Sequence, residues 1–239
     1  MGPSWLDKWR MRGQARRQES AYKRHWQAFS RYPTLADGRH DDATWRAHSG
    51  RFACCLIRVP ASALRPRLDA LRTELAAGEG KVRLHPDHFL HIMIQEIGFT
   101  STNPTRGDEL SFERFDELTT AFSSALRDIS PFEIGICSAN SFEDAAFLEV
   151  QDGARCAAVH GRLREVAAVP MIPRYAYMPH ITVAHYLGSF DSMETLKTLQ
   201  SYRDVQFGAF EVTEVEIATL RVDIDYPPIH SVRKITLRR

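Results

Sequence analysis

The chain has 239 residues, 44% of them hydrophobic and 26% charged, with a formal net charge of +1. Those values suit one sizeable globular domain, with or without an extension, and exclude a disordered polyelectrolyte or a generic nucleic-acid coat. No apolar run approaches the ~20 residues of a membrane span, the basic N-terminus lacks an apolar signal core, and a cytoplasmic protein is expected.

The charge is unevenly spread. Residues 1–50 carry ten Lys/Arg against five Asp/Glu, a balance of +5, which leaves −4 for residues 51–239. All four tryptophans, Trp5, Trp9, Trp26 and Trp45, lie in the same basic segment. Trp5 and Trp9 are four apart, and Tyr22, Trp26 and Phe29 follow an i, i+4, i+7 pattern, so each set falls on one helical face. One helix or two short ones are predicted over roughly 4–30, followed by a polar connector from Pro33 to Gly50. The aromatic face of Trp5, Trp9 and Trp26 should bury against the main domain, or against a second copy in a homodimer. Arg10, Arg12, Arg16 and Arg17 would then face solvent or the mouth of a nucleic-acid groove. Residues 1–50 therefore read as a Trp-rich basic helical extension, and residues 51–239 as the main domain.

From Phe52 the pattern becomes regular. Phe52–Val59 reads as a strand. Pro60 opens a helix through Ala77, closed by Gly78 and Gly80. Lys81–Leu84 and His88–Ile97 read as strands, and a loop with Pro104 and Gly107 follows. Ser111 should cap a helix from Phe112 to Asp128. Pro131–Ala139 and Ala145–Val150 read as strands, Gly153–Ala168 as a helix, Tyr175–Leu187 as a strand and Met193–Tyr202 as a short helix. Gly208–Leu220 and Ser231–Leu237 close the chain as strands. Strand and helix groups recur in the two halves, which predicts an α+β fold of two antiparallel-sheet lobes, helices outside and a shared groove inside. Cys54, Cys55, Cys137 and Cys156 form no Cys-x-x-Cys pair, so small buried apolar side chains, reduced in the cytoplasm, are expected rather than a zinc ribbon.

Two segments repeat one phrase. His91-Ile92-Met93-Ile94-Gln95-Glu96-Ile97-Gly98 and His180-Ile181-Thr182-Val183-Ala184-His185-Tyr186-Leu187-Gly188 each run from a histidine through alternating apolar residues to a glycine. Side chains at i and i+2 of a strand share a face. His91 then shares a face with Met93 and Gln95, and His180 with Thr182 and Tyr186, while His185 should point away. Two imidazoles over one groove can serve as general base and general acid near neutral pH. Phosphoester chemistry can run on that pair alone, so neither a metal nor a cofactor is expected. His85, His88 and His91 are spaced three apart, but Pro86 and the strand that follows break any helical metal-ligand geometry. Tyr186 is placed to stack on a base. Arg58, Arg83 and Arg174 are candidates for a phosphate contact, and Tyr175 and Tyr177, just before Pro179, have no assignable face.

These residues resemble the 2H phosphoesterase superfamily, which holds the 2′-5′ RNA ligase-like proteins and the cyclic phosphodiesterases. The resemblance spans about residues 51–239. It rests on His180-Ile181-Thr182-Val183, a full His-x-Thr-x motif, and on His91-Ile92-Met93-Ile94, which keeps the histidine but has Met93 where the family has Thr or Ser. It implies a bilobal fold with a central groove that takes a nucleotide or RNA end bearing a 2′,3′-cyclic or 2′,5′-linked phosphoester. It also implies catalysis by His91 and His180, with Thr182 donating a hydrogen bond to a phosphoryl oxygen. A thioether offers no donor, so Met93 cannot play the matching part, and the amide of Gln95 is the candidate substitute. The alternative is a fold that still binds nucleotide or RNA but has lost catalytic power through Met93.

Overall fold

A computed structural model describes residues 5–31, 34–38, 43–78, 80–166 and 176–238. Arg174 and Tyr175 lie outside the described residues, and so does the side chain of Trp5. Two five-stranded sheets form the body. The first has the order β10-β9-β1-β3-β4 and the second β2-β7-β6-β5-β8. In chain order the strands are β1 (Arg51–Arg58), β2 (Val82–Leu84), β3 (His91–Ser101), β4 (Glu109–Ser111), β5 (Phe132–Ser141), β6 (Ala145–Gln151), β7 (His180–Tyr186), β8 (Gln206–Val212), β9 (Glu214–Arg221) and β10 (His230–Thr236). All pairings are antiparallel except that of β3 with the short β4. Helices α1 (Trp5–Arg31), α2 (Ala43–Arg46), α3 (Arg67–Ala76), α4 (Phe112–Ala125), α5 (Arg155–Val166) and α6 (Met193–Ser201) complete the described structure. None of them is long and apolar enough to cross a membrane.

Alternation decides which face of each sheet is covered. Ala53, Cys55 and Ile57 of β1 share one apolar core with Ile92 and Ile94 of β3 and with Leu68 and Leu71 of α3. Phe52, Cys54 and Leu56 point the other way, into a second layer with Met93, Phe99 and Leu220. All four cysteines are buried free thiols, as their apolar contexts suggested.

Several elements differ from expectation. The helix predicted from Pro60 becomes a short 3-10 turn over Ala61–Ala63, and α3 starts only at Arg67, after Pro66. Gly208–Leu220 is two strands in different sheets, β8 on β5 and β9 on β1. An apolar run states that a segment is buried, not which sheet buries it. The two halves also interlock: β2 joins the second sheet, and β9 and β10 join the first. The strand expected from Tyr175 begins only at His180, the one expected from His88 begins at His91 after a 3-10 turn over Asp87–Phe89, and the expected connector carries the short α2. Ser111 caps α4 by accepting a 3.1 Å bond from the Arg114 amide.

Described residues of the N-terminal segment pack on both sheets. Tyr22 and Phe29 of α1 are buried, and Trp26 packs against the main core. The Tyr22 hydroxyl donates to the Pro179 carbonyl and accepts from the Val150 amide at 3.2 Å. Asn140 Nδ2 donates to the Tyr22 carbonyl at 3.0 Å and to Glu149 at 2.7 Å. Arg203 pairs with the same Glu149 carboxylate at 2.7 Å and lies 4.6 Å over the Trp26 ring. Farther on, Trp45 packs on Phe52 and Phe99 with centroids 4.9 Å apart. Trp9, however, is 67% exposed, contrary to the expected aromatic seam. The first buried position among the described side chains of α1 is Gln18, so only the C-terminal half of the helix has sheet beneath it.

The Tyr22 hydroxyl satisfies buried backbone groups, so Tyr22→Phe should lower the unfolding free energy by about 1–3 kcal/mol. Trp9→Ala should stay within roughly 0.5 kcal/mol of the parent. Urea unfolding of both variants measures the contrast, and equal losses would contradict the half-docked helix.

Candidate active site

His91 and His180 each open a strand, β3 and β7, and each ring is held the same way. His91 Nδ1 lies 2.6 Å from the Phe89 carbonyl, and His180 Nδ1 lies 2.9 Å from the Met178 carbonyl. A carbonyl only accepts, so Nδ1 carries the proton in both rings and Nε2 carries the lone pair of the neutral imidazole. Each ring also meets an aromatic edge: Phe89 at 5.2 Å from His91 and Phe142 at 5.0 Å from His180, both near perpendicular. The two half-sites thus have matching tautomers, supports and rims.

The strands that carry them lie against each other. β4 pairs with β3 only from Phe99 onward, and β2 pairs with β7 only from Ala184 onward. Among the described residues that leaves the histidine ends of β3 and β7 without a strand partner on one side, and the two strands are in contact. Side chains take up the open edge of β3. The Tyr177 hydroxyl donates to the Met93 carbonyl at 3.0 Å, and His160 Nδ1 to the Ile94 carbonyl at 2.7 Å.

Burial is the main cause that pushes the His91 pKa down to about 4, and the nearby His180 and Arg58 charges add to it. Burial also lowers the His180 pKa, and His25 lowers it further, but Asp144 opposes the shift. The two histidines are therefore unequal: only His180 has a carboxylate favouring its charged form.

Each histidine strand carries a β-bulge at the third residue after the histidine. Met93 pairs with Leu56 and Gln95 with Cys55, which leaves Ile94 extra. Thr182 pairs with Phe147 and Ala184 with Ala146, which leaves Val183 extra. An extra residue shifts the alternation by one, and this corrects three sequence expectations. Gln95 is buried, and its amide donates to the Glu96 carbonyl at 2.7 Å instead of standing beside Met93. Tyr186 does not line the groove: it is fully buried in the core, with its hydroxyl 2.6 Å from Ser141 Oγ. His185 turns to the His180 side, lines the same recess as His180 and Thr182, and lies 3.3 Å from His85. Thr182 precedes its bulge and keeps the predicted face.

The remaining candidates are placed as follows. Met93 packs in the apolar layer with Phe52, Leu56 and Phe89. Arg58 sits beside His91 in register and is held by Glu216 at 2.9 Å and the Ile229 carbonyl at 2.8 Å. Arg83 pairs with Asp225. Among the described residues no group of three or more His, Cys, Asp or Glu could hold a metal. Sequence reasoning missed His25, which reaches the His180 recess from α1, and the rims Phe89 and Phe142. Phe89 precedes His91 by two residues and was findable, but nothing local marks His25 or Phe142.

Residues 60–223 match the family model described as the 2′-5′ RNA ligase superfamily. The chain belongs to that superfamily of 2H phosphoesterases. No curated protein matches the chain. Among solved structures it is similar to TT0787 of Thermus thermophilus, with a TM-score of 0.57 and 16% identity over 78% of this chain and 98% of that one. E. coli LigT complexed with 3′-AMP gives a TM-score of 0.62 and 15% identity over 80% of this chain and 100% of that one. E. coli LigT complexed with phosphate gives 0.58 and 16%, over 80% and 99%. At these identities the likeness establishes the shared fold.

The His91 shift has a sign that stability reports. Between pH 6.5 and 4 the unfolded chain protonates this ring and the folded chain does not, so stability falls as the pH drops through that window and levels off below it. In His91→Asn the loss between pH 7 and 4 should be smaller by on the order of 2–3 kcal/mol. Denaturant titrations at the two pH values measure it, and an unchanged loss would contradict the buried neutral ring.

Proposed function

We propose that the chain is a metal-independent phosphoesterase that opens 2′,3′-cyclic phosphates or cleaves 2′,5′-linked nucleotide or RNA ends, with residues 51–239 as the catalytic unit and residues 1–50 as an arm on it. The observation that carries this reading is the matched pair of Nδ1–carbonyl bonds, which leaves two Nε2 atoms for proton transfer. His91, depressed to about 4 and without a carboxylate among its influences, is neutral at working pH and is assigned as general base. His180, whose charged form Asp144 favours, is assigned as general acid. Water attacks phosphorus as His91 Nε2 takes its proton, the bond from phosphorus to the 2′ or 3′ oxygen breaks, and His180 Nε2 protonates that oxygen. Thr182, on the His180 face, is the donor to a phosphoryl oxygen as its charge grows. The LigT complexes with 3′-AMP and with phosphate support a nucleotide ligand for this fold. Four free thiols support a cytoplasmic setting.

A second reading, a binding module with weak catalysis, draws on Met93: its side chain lies in an apolar layer and Gln95 is buried, so neither supplies the first-strand donor. Met93→Thr separates the two readings. A strong rise in turnover would identify an impaired native site, and little change would place the second donor elsewhere.

His91→Ala and His180→Ala should each lower kcat/KM on a 2′,3′-cyclic nucleotide by roughly 10²–10⁴-fold, and turnover of the parent should survive EDTA. The logarithm of kcat/KM should climb with pH through the His91 value of about 4 and fall as the pH passes that of His180, which lies below 6.5. The optimum therefore belongs on the acid side of 6.5. A chelator-sensitive activity, or an optimum in the alkaline range, would overturn the assignment.

A further inference from the structure

We propose that the cleft between α1 and α5 binds the phosphodiester backbone of a single-stranded oligoribonucleotide whose cyclic end lies at His91 and His180. The inference rests on the phosphoesterase reading and extends it from a nucleotide end to a chain of several nucleotides.

Arg16, Arg17 and Arg24 of α1 and Arg164 of α5 line this cleft, and among the described residues no carboxylate lines it. All four side chains belong to exposed residues. Elsewhere the arginines of this protein are commonly neutralised in place: Arg58 by Glu216, Arg72 by Asp87, Arg162 by Asp128, Arg203 by Glu149 and Arg221 by Asp223. None of the four cleft arginines forms an ion pair among the described residues. Four exposed guanidinium groups along one cleft raise a local positive potential that favours an anion. The floor stays low because the residues between the charges are small, Ala21, Ala157 and Gly161, and a Cβ built on Gly161 would meet nothing within 4 Å.

The inner end fixes what the anion is. Tyr177 lines the cleft, its hydroxyl is bonded to the Met93 carbonyl of the His91 strand, and His180 lies three residues on. Its ring stacks on His160, with centroids 4.2 Å apart and planes 7° from parallel. Tyr177 therefore ties one wall of the cleft to the strand that carries His91. A mononucleotide held by its cyclic phosphate has no second phosphate to place there. A single-stranded RNA does, and its recognition combines phosphate contacts with aromatic platforms of this kind.

The test uses the full chain and a fluorescent oligoribonucleotide of about ten nucleotides ending in a 2′,3′-cyclic phosphate, beside the corresponding cyclic mononucleotide. In the variant carrying Arg16→Gln, Arg17→Gln, Arg24→Gln and Arg164→Gln, the oligomer Kd should weaken by at least about tenfold, and the log–log salt slope should become shallower by about 2–3. Turnover of the cyclic mononucleotide should stay within about twofold of the parent, since none of the four residues is assigned to proton transfer. Circular dichroism checks that the variant is folded. A variant that binds the oligomer as well as the parent, with the same salt slope, overturns the proposal. So does one that loses mononucleotide turnover in parallel, because the cleft would then serve the chemistry rather than the chain. If neither substrate turns over in the parent but the binding differences hold, the cleft stands and the phosphoesterase reading fails.

Discussion

A backbone carbonyl two residues upstream holds each catalytic candidate, and the geometry of the site follows from those two bonds. They commit Nδ1 to a proton and orient Nε2, so the protein does not need a buried carboxylate behind either ring. The carbonyls belong to Phe89 and Met178, in the segments that lead into β3 and β7, so the rings are fixed only when those strands are seated. The histidine end of β3 has no strand partner on one side among the described residues, and Tyr177 and His160 bond its carbonyls instead.

What the sequence disclosed follows the range of each signal. The duplicated phrase, the cap at Ser111 and the apolar run of β1 act within a few residues, and all are visible in the text of the chain. His91, His180 and Thr182 come before their bulges, and the period of two places them on the expected faces. Gln95, His185 and Tyr186 come after them, and each is found on the opposite face. No residue type marks Ile94 or Val183 as the extra one, because a bulge is a mismatch between two strands and the partner lies far away in sequence. The same limit hid the split of Gly208–Leu220 and the reach of His25 toward His180. Trp9 shows the converse: a helical spacing predicts which residues share a face, but not how much of that face has anything to rest on.

The N-terminal segment alters the electrostatics of the whole. A domain of balance −4 would attract a polyanion poorly. The arm brings its positive charge to one place, and the buried contacts of Tyr22, Asn140, Glu149 and Arg203 hold it beside the histidine strands. Fixing the helix with a neutral and an internally paired set of contacts leaves the outer arginines available. That division of labour along one helix, apolar and neutral inward, cationic outward, is what an amphipathic arm on an acidic body can offer a substrate.

The interlocked sheets set an order of events during synthesis. β1 must pair on both sides, with β3 from the early chain and with β9, whose residues follow more than a hundred positions later. β2 waits in the same way for β7. The first sheet cannot close while the ribosome still holds residues 214–236, so β1 lacks one of its two strand neighbours until then. Long-range pairing of this kind is slow and exposes strand edges. The nascent chain, more than the finished protein, is therefore the form that would depend on chaperones.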